Sequence, residues 1–226
     1  MKLLVDYIDQ EILLSKDKIF SLEVTNKHYF YRLINDFCIL SDGGINDSIK
    51  LYNISSFKEI NISSKLNIFT NYFDFNLNNK KIINILVNDI EKQFTNIEVD
   101  KVRKNYLGIE KVIKSKFNNY NFAIDFNSEF SLKEIINLYK IKILQSKSLI
   151  DNLFTLIDVY KLYSSDSLLI FVNLKQYLTE QELYEFFKYC VYNEIYIVLI
   201  DINNYKIKNK FENKLIIDND LFETMI

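Results

Sequence analysis

The stretch that most limits how this chain can fold runs from Leu168 to Asp201: "LLIFVN", a loop, "TEQELYEFFKYCVYN", then "IYIVLID". Two short, wholly apolar runs of this kind read as strands buried on both faces of a sheet. Between them, Thr179 followed three residues later by Glu182 forms a capping box that opens an amphipathic helix. A strand, a helix and a second strand in that order call for a right-handed crossover and parallel pairing. The fold class is therefore α/β.

The remainder extends this pattern and interrupts it once. "KLLVDYI" and "IFSLEVT" read as strands, and "KHYFYRLINDFCIL" as a helix with Asn26 as its N-cap. "SDGGINDS" is a loop, followed by the strand-like "IKLYN" and "KLNIFTN". From about Asn78 the periodicity turns helical, through "NNKKIINILVNDIEKQF" and "EVDKVRKNYLGIEKVIKSKF". Val99, Val102, Tyr106, Ile109, Ile113 and Phe117 draw one apolar stripe along the second of these helices. The short link between the two predicts an antiparallel hairpin. From Ser131 the alternation returns with helix "SLKEIINLY", strand "KIKIL", helix "SLIDNLFTLIDVYKLY", the opening segment, and a last strand around "KLIID". The expected architecture is a discontinuous α/β head with a largely parallel sheet, residues 1–77 and 132–226, and an inserted α-helical leg, residues 78–131.

Charge and composition narrow the function. The chain has 226 residues, 28 Lys and Arg against 30 Asp and Glu, three glycines and no proline. A protein that binds nucleic acid over its whole surface is more basic than this, so any DNA-binding charge must be gathered in one place. "MKLLVDYIDQEILL" meets acidic residues at once, unlike a signal peptide, and no segment approaches the roughly 20 apolar residues of a membrane span. Cys38 and Cys190 lie in helix-patterned apolar surroundings and read as reduced core thiols. A soluble, cytoplasmic protein is expected.

The common catalytic signatures are missing. A phosphate-binding loop needs glycines where backbone amides wrap the phosphates. Only Gly43, Gly44 and Gly108 are present, in neither a GxxxxGK nor a GxGxxG arrangement. His28 is the sole histidine, at a helix start, and reads as a surface or capping residue. No CxxC, HExxH or GxSxG occurs. Asn173 stands at a strand end where α/β ATPases often place a metal-binding aspartate, and a neutral amide there does not hold magnesium in the usual way.

Two segments remain. In "AIDFNSEFSLKE", Asp125, Asn127 and Glu129 fall at alternate positions and Glu134 follows on the next helix. Alternating oxygen-bearing side chains are what a hard cation such as calcium takes, and a solvated loop ending in an N-cap at Ser131 is the plain alternative. In "KVRKNYLGIEKVIKSK", Lys101, Arg103, Lys104, Lys111, Lys114 and Lys116 face a single acidic residue, Glu110. They are expected on the side away from the apolar stripe, where they would track DNA phosphates or simply be solvated. A second, weaker cluster is "KIKNK", with Lys206, Lys208 and Lys210.

Taken in order, "IINILVNDIEKQF", "IDFNSEFSLKEII", "LLIFVN…YLTEQEL…EIYIVLID" and "NDLFETMI" resemble the Csn-two family of CRISPR-associated proteins from type II-A systems. That resemblance implies a head related to P-loop ATPases but lacking nucleotide motifs, with an α-helical leg. It also implies a non-enzymatic homotetrameric ring that encircles double-stranded DNA and binds it through free ends. Calcium stabilises such rings. Its ligands would fall on Asp125, Asn127, Glu129 and Glu134, with Asn127 where the family pattern has an acidic side chain. The implied role is spacer acquisition alongside the adaptation integrase and the RNA-guided effector nuclease. Lys140 and Lys142, just beyond the acidic loop, join the basic strip as DNA-contact candidates. Two other readings stand beside this one: a metal-dependent small-molecule enzyme on the head, and a protein scaffold without DNA binding.

Overall fold

The computed structural model describes residues 1–164, 166–203 and 209–226. The chain forms two compact units, one of residues 1–76 and 145–226, the other of residues 77–144. In the first unit, strands β1 (Lys2–Val5), β2 (Ile12–Leu13) and β3 (Ile19–Val24) lead to helix α1 (Lys27–Ser41), then to β4 (Ile49–Tyr52), β5 (Glu59–Ile60) and β6 (Leu66–Phe69). The second unit holds α2 (Lys80–Gln93), α3 (Asn96–Phe117) and α4 (Leu132–Leu138). The chain then returns through α5 (Leu149–Tyr163), β7 (Leu168–Val172), α6 (Glu180–Tyr192), β8 (Tyr196–Asp201), β9 (Glu212–Ile217) and β10 (Glu223–Met225).

The α/β unit is built on a six-stranded sheet in the order β10-β9-β3-β8-β7-β6, beside a four-stranded antiparallel sheet, β2-β1-β4-β5. Every pairing in the larger sheet is parallel except that of β10 with β9. The β7–α6–β8 crossover is the one the sequence dictates. Thr179 and Glu182 form the reciprocal capping box at the start of α6, and all five residues of β7 are buried. On one face Leu22 and Val24 of β3, Ile170 of β7 and Leu215 of β9 join Leu33 and Phe37 of α1, with Leu3 and Leu51 of the small sheet, in a single apolar core. On the other face Phe186 of α6 packs edge-on against Phe171 of β7, ring centres 5.5 Å apart. Burying such side chains on both faces is what fixes a parallel sheet.

Asn26 caps α1 as expected, accepting from the backbone N–H groups of His28 and Tyr29, each at 3.1 Å. Only Thr25 and Asn26 separate β3 from α1. A phosphate cradle at that strand-to-helix turn needs free helix-terminal amides; here a side chain already occupies them. His28 is exposed, in keeping with a surface residue. Asn173 adopts a left-handed conformation, φ 56. Its N–H donates to the Ile200 carbonyl at 2.8 Å and its side-chain oxygen accepts from Ile202 N–H at 2.9 Å, tying the end of β7 to β8.

Three local expectations need correction. First, the second boundary falls at residue 144 rather than 131, because Leu132 and Ile136 of α4 pack with Val87 of α2 in the helical unit's own core. Second, residues 140–144 form no strand. They are held by Asn78, whose side chain accepts from Ile143 N–H at 2.7 Å and donates to the Ile143 carbonyl at 3.0 Å. Third, α4 rather than α3 is the main neighbour of α2. The α2–α3 link is only Phe94 and Thr95, and apolar residues of α3 reach the shared core near that turn alone, through Val99 and Val102.

Candidate nucleic-acid interface

The two units carry opposite charge. Residues 77–144 hold twelve Lys and Arg against eight Asp and Glu, a net of +4. The α/β unit holds sixteen against twenty-two, a net of −6, and the two together give the −2 of the whole chain. The near-neutral total therefore hides a basic helical unit.

Within that unit the apolar stripe of α3 is shorter than the periodicity predicts. Val99 and Val102 reach the core, whereas Ile109 and Ile113 are 61% and 48% exposed. The buried residue in this half of the helix is Glu110, whose carboxylate pairs with Lys114 Nζ at 2.5 Å. Aromatic contacts replace the missing stripe. Phe130 stands 5.7 Å from Tyr106 and Phe126 stands 5.2 Å from Phe117, ring centre to ring centre, so the connection to α4 folds back on α3.

That arrangement sorts the six predicted basic residues. Arg103 lies over the Phe130 ring at 5.1 Å and Lys114 over the Phe126 ring at 5.0 Å, both cation–π contacts inside the unit. Lys101, Lys104, Lys111 and Lys116 are exposed. The first three, at intervals of three and seven residues, share one side of the helix, and at about 1.5 Å per residue they span roughly 15 Å. Lys140 and Lys142 are also exposed, on the segment held by Asn78. Of the late cluster, Lys206 and Lys208 lie outside the described residues, and Lys210 sits 4.9 Å from the Phe211 ring centre.

The acidic loop is exposed at Asp125, Asn127, Glu129 and Glu134. Asp125 accepts from Phe126 N–H, Asn127 accepts from Glu129 N–H, and Glu134 sits in the first turn of α4 with its N–H capped by Ser131. Among the described residues no group of three or more His, Cys, Asp or Glu is placed to hold a metal ion. The donors are of the kind calcium takes, but a single chain does not draw them together. Among the described residues, too, no helix is long and apolar enough to cross a membrane.

Sequence reasoning missed a second polar constellation, in the α/β unit. Glu23 of β3, Asp201 of β8, Glu212 and Lys214 of β9, and Lys175 in the turn after β7 are all buried. Lys175 Nζ donates to Glu212 Oε1 at 2.6 Å and Glu23 Oε1 at 2.8 Å, and Lys214 Nζ lies 2.9 Å from the same Glu23 oxygen. Burial alone disfavours charge on Lys175, but the Glu212 and Asp201 carboxylates outweigh it and raise its pKa. Glu212 is likewise desolvated, yet Lys175 and Lys214 hold its carboxyl below the usual range. These lysines are structural and offer nothing to a ligand.

The sequence profile of a family described as CRISPR-associated protein (Cas_Csn2) matches residues 44–221. The chain belongs to this family and is, accordingly, a CRISPR-associated protein. Comparison with curated protein sequences gave no match. Among solved structures, the chain is similar to one described as an ABC transporter (ATP-binding protein) from Pyrococcus furiosus, with 7% identity, a TM-score of 0.45, and coverage of 95% of this chain and 97% of that one.

Proposed function

We propose that the protein is a non-enzymatic, sequence-independent binder of double-stranded DNA that serves spacer acquisition in type II-A CRISPR immunity in the cytoplasm. The observation that carries this reading is the net +4 of the helical unit within a chain of net −2, with Lys101, Lys104 and Lys111 exposed along one side of α3. A row of lysines with no base-reading partner contacts phosphates, so binding is salt-sensitive and indifferent to sequence. One such row is a modest patch. Four copies in a ring would multiply it, and enclosure of the duplex would slow escape without any base contact, while the acidic α/β units repel DNA elsewhere. The adaptation integrase and the RNA-guided effector nuclease are the expected protein partners.

Calcium enters the proposal on donor chemistry: Asp125, Asn127, Glu129 and Glu134 offer oxygens that a hard cation takes, and assembly of the ring would have to bring them together. The test is a gel shift of linear against covalently closed circular duplex, with calcium and then with chelator. Linear DNA bound alone, and lost on chelation, supports threading through a calcium-stabilised ring. Equal binding of both forms replaces the ring with an open basic surface. Binding to neither form leaves a protein scaffold.

A further inference from the structure

Among the described residues, the sheet face that carries Glu23, Glu212 and Asp201 presents three carboxylates, met by two ammonium groups, Lys175 and Lys214. Glu23 and Asp201 are register partners on adjacent parallel strands, β3 and β8, so their side chains leave the sheet on the same side. Two of the carboxylates are matched at hydrogen-bond distance, Glu23 by both lysines and Glu212 by Lys175. The third is not. Asp201 is 0% exposed and neither of its carboxylate oxygens has a hydrogen-bond partner. Lys175 Nζ stands 3.9 Å from its Oδ2, drawn instead to the two glutamates.

An ionised carboxylate that is fully buried, unbonded and beside two other carboxylates is among the costliest arrangements a protein interior can hold, and such a group takes up a proton instead. We propose that the folded protein holds Asp201 as the neutral carboxylic acid, and that its ionisation loosens the α/β unit as pH rises. Among the described residues, the groups that bear on it are Lys175 from the turn after β7, Glu23 from β3, Glu212 from β9 and Tyr72 from the segment after β6, with Lys214 of β9 held by the same Glu23. Burial is the largest influence and raises its pKa; the Lys175 ammonium and backbone N–H oppose this, while Glu23 and Glu212 reinforce it, leaving a value of about 7. With the proton in place the described cluster is neutral: two glutamates against two lysines.

The sign follows from linkage. In the unfolded chain the group titrates near 3.8, so between that value and about 7 the folded state binds a proton that the unfolded state does not. Stability from this group is full below the lower value, falls as pH rises through the window, and is gone above about 7. The proposal does not depend on DNA binding.

The experiment compares the full-length protein with Asp201→Asn, which keeps the shape and removes the titration. Calorimetric unfolding at about pH 5.5, in buffers of different ionisation enthalpy, counts the protons released. Wild type should release up to one proton more than the variant, and its melting temperature should fall relative to the variant's between pH 5 and pH 8. Equal proton release and parallel melting profiles would overturn the proposal. Infrared spectroscopy of the wild type covers the case in which the variant fails to fold. A carboxylic-acid carbonyl band present at pH 6 and lost reversibly at pH 8 is expected, and absence of that band at pH 6 would equally overturn it.

Discussion

Lysine does two opposite jobs in this protein. In the α/β unit Lys175 and Lys214 are buried, each within 3 Å of a carboxylate. In the helical unit Lys101, Lys104 and Lys111 are exposed in a row along α3. The difference is set by what lies on the neighbouring elements. Parallel strands put Glu23 and Glu212 beside the buried ammonium groups, whereas Glu110, on the same helix as the row, turns inward and takes Lys114. Charge count alone does not separate a lysine that holds a fold from one that can meet a ligand; burial and partners do.

The sharpest way to break this comparison is to treat a buried lysine as if it were a surface one. Lys175→Met takes the hydrogen-bonded ammonium from Glu212 and one of the two from Glu23, which keeps Lys214, and removal of one partner from a buried pair costs about 3–5 kcal/mol. Urea denaturation should show that loss in the α/β unit, and a change below about 0.5 kcal/mol would mean the cluster is not the tightly paired one described. Within the helical unit a smaller effect sharpens the contrast. Ser131 caps α4, and Ser131→Ala should cost about 1 kcal/mol, seen as a lower melting temperature. Smallest of all should be Lys114→Ala. Its pair with Glu110 is half exposed on the lysine side, so the stability change should stay under about 1 kcal/mol. A larger loss would place Lys114 with the structural lysines.

The sequence showed most where apolar pattern and capping chemistry agree. The β7–α6–β8 segment, the Asn26 cap and the two-part organisation were all legible, because wholly apolar runs and Thr–x–x–Glu spacing have few other uses. "KIKIL" failed as a strand because alternation is also what an extended segment pinned by one asparagine looks like, and Asn78 lies far away in sequence. Ile109 and Ile113 had the right spacing for a core stripe, but Phe126 and Phe130 cover α3 through Phe117 and Tyr106 instead. Of the site, the basic run was visible and its division was not: nothing in "KVRKNYLGIEKVIKSK" shows that Arg103 and Lys114 lie over rings from the following loop. The buried cluster was missed although a signal existed. "IFSLEV" alternates Ser21 and Glu23 with apolar residues in a strand buried on both faces, and a buried glutamate there demands partners from elsewhere in the sheet.

The central claim is that the exposed row on α3 meets DNA phosphates. It is tested most directly by measuring duplex affinity against salt concentration for the wild type and for Lys104→Glu with Lys111→Glu. Wild-type binding should weaken steeply with salt and be the same for unrelated sequences. In the double variant affinity should fall and the slope of log affinity against log salt should flatten by about two, roughly 0.9 for each phosphate no longer neutralised, with the melting temperature unchanged. An unchanged affinity and slope in a folded double variant would contradict the account and move the DNA-binding face off α3.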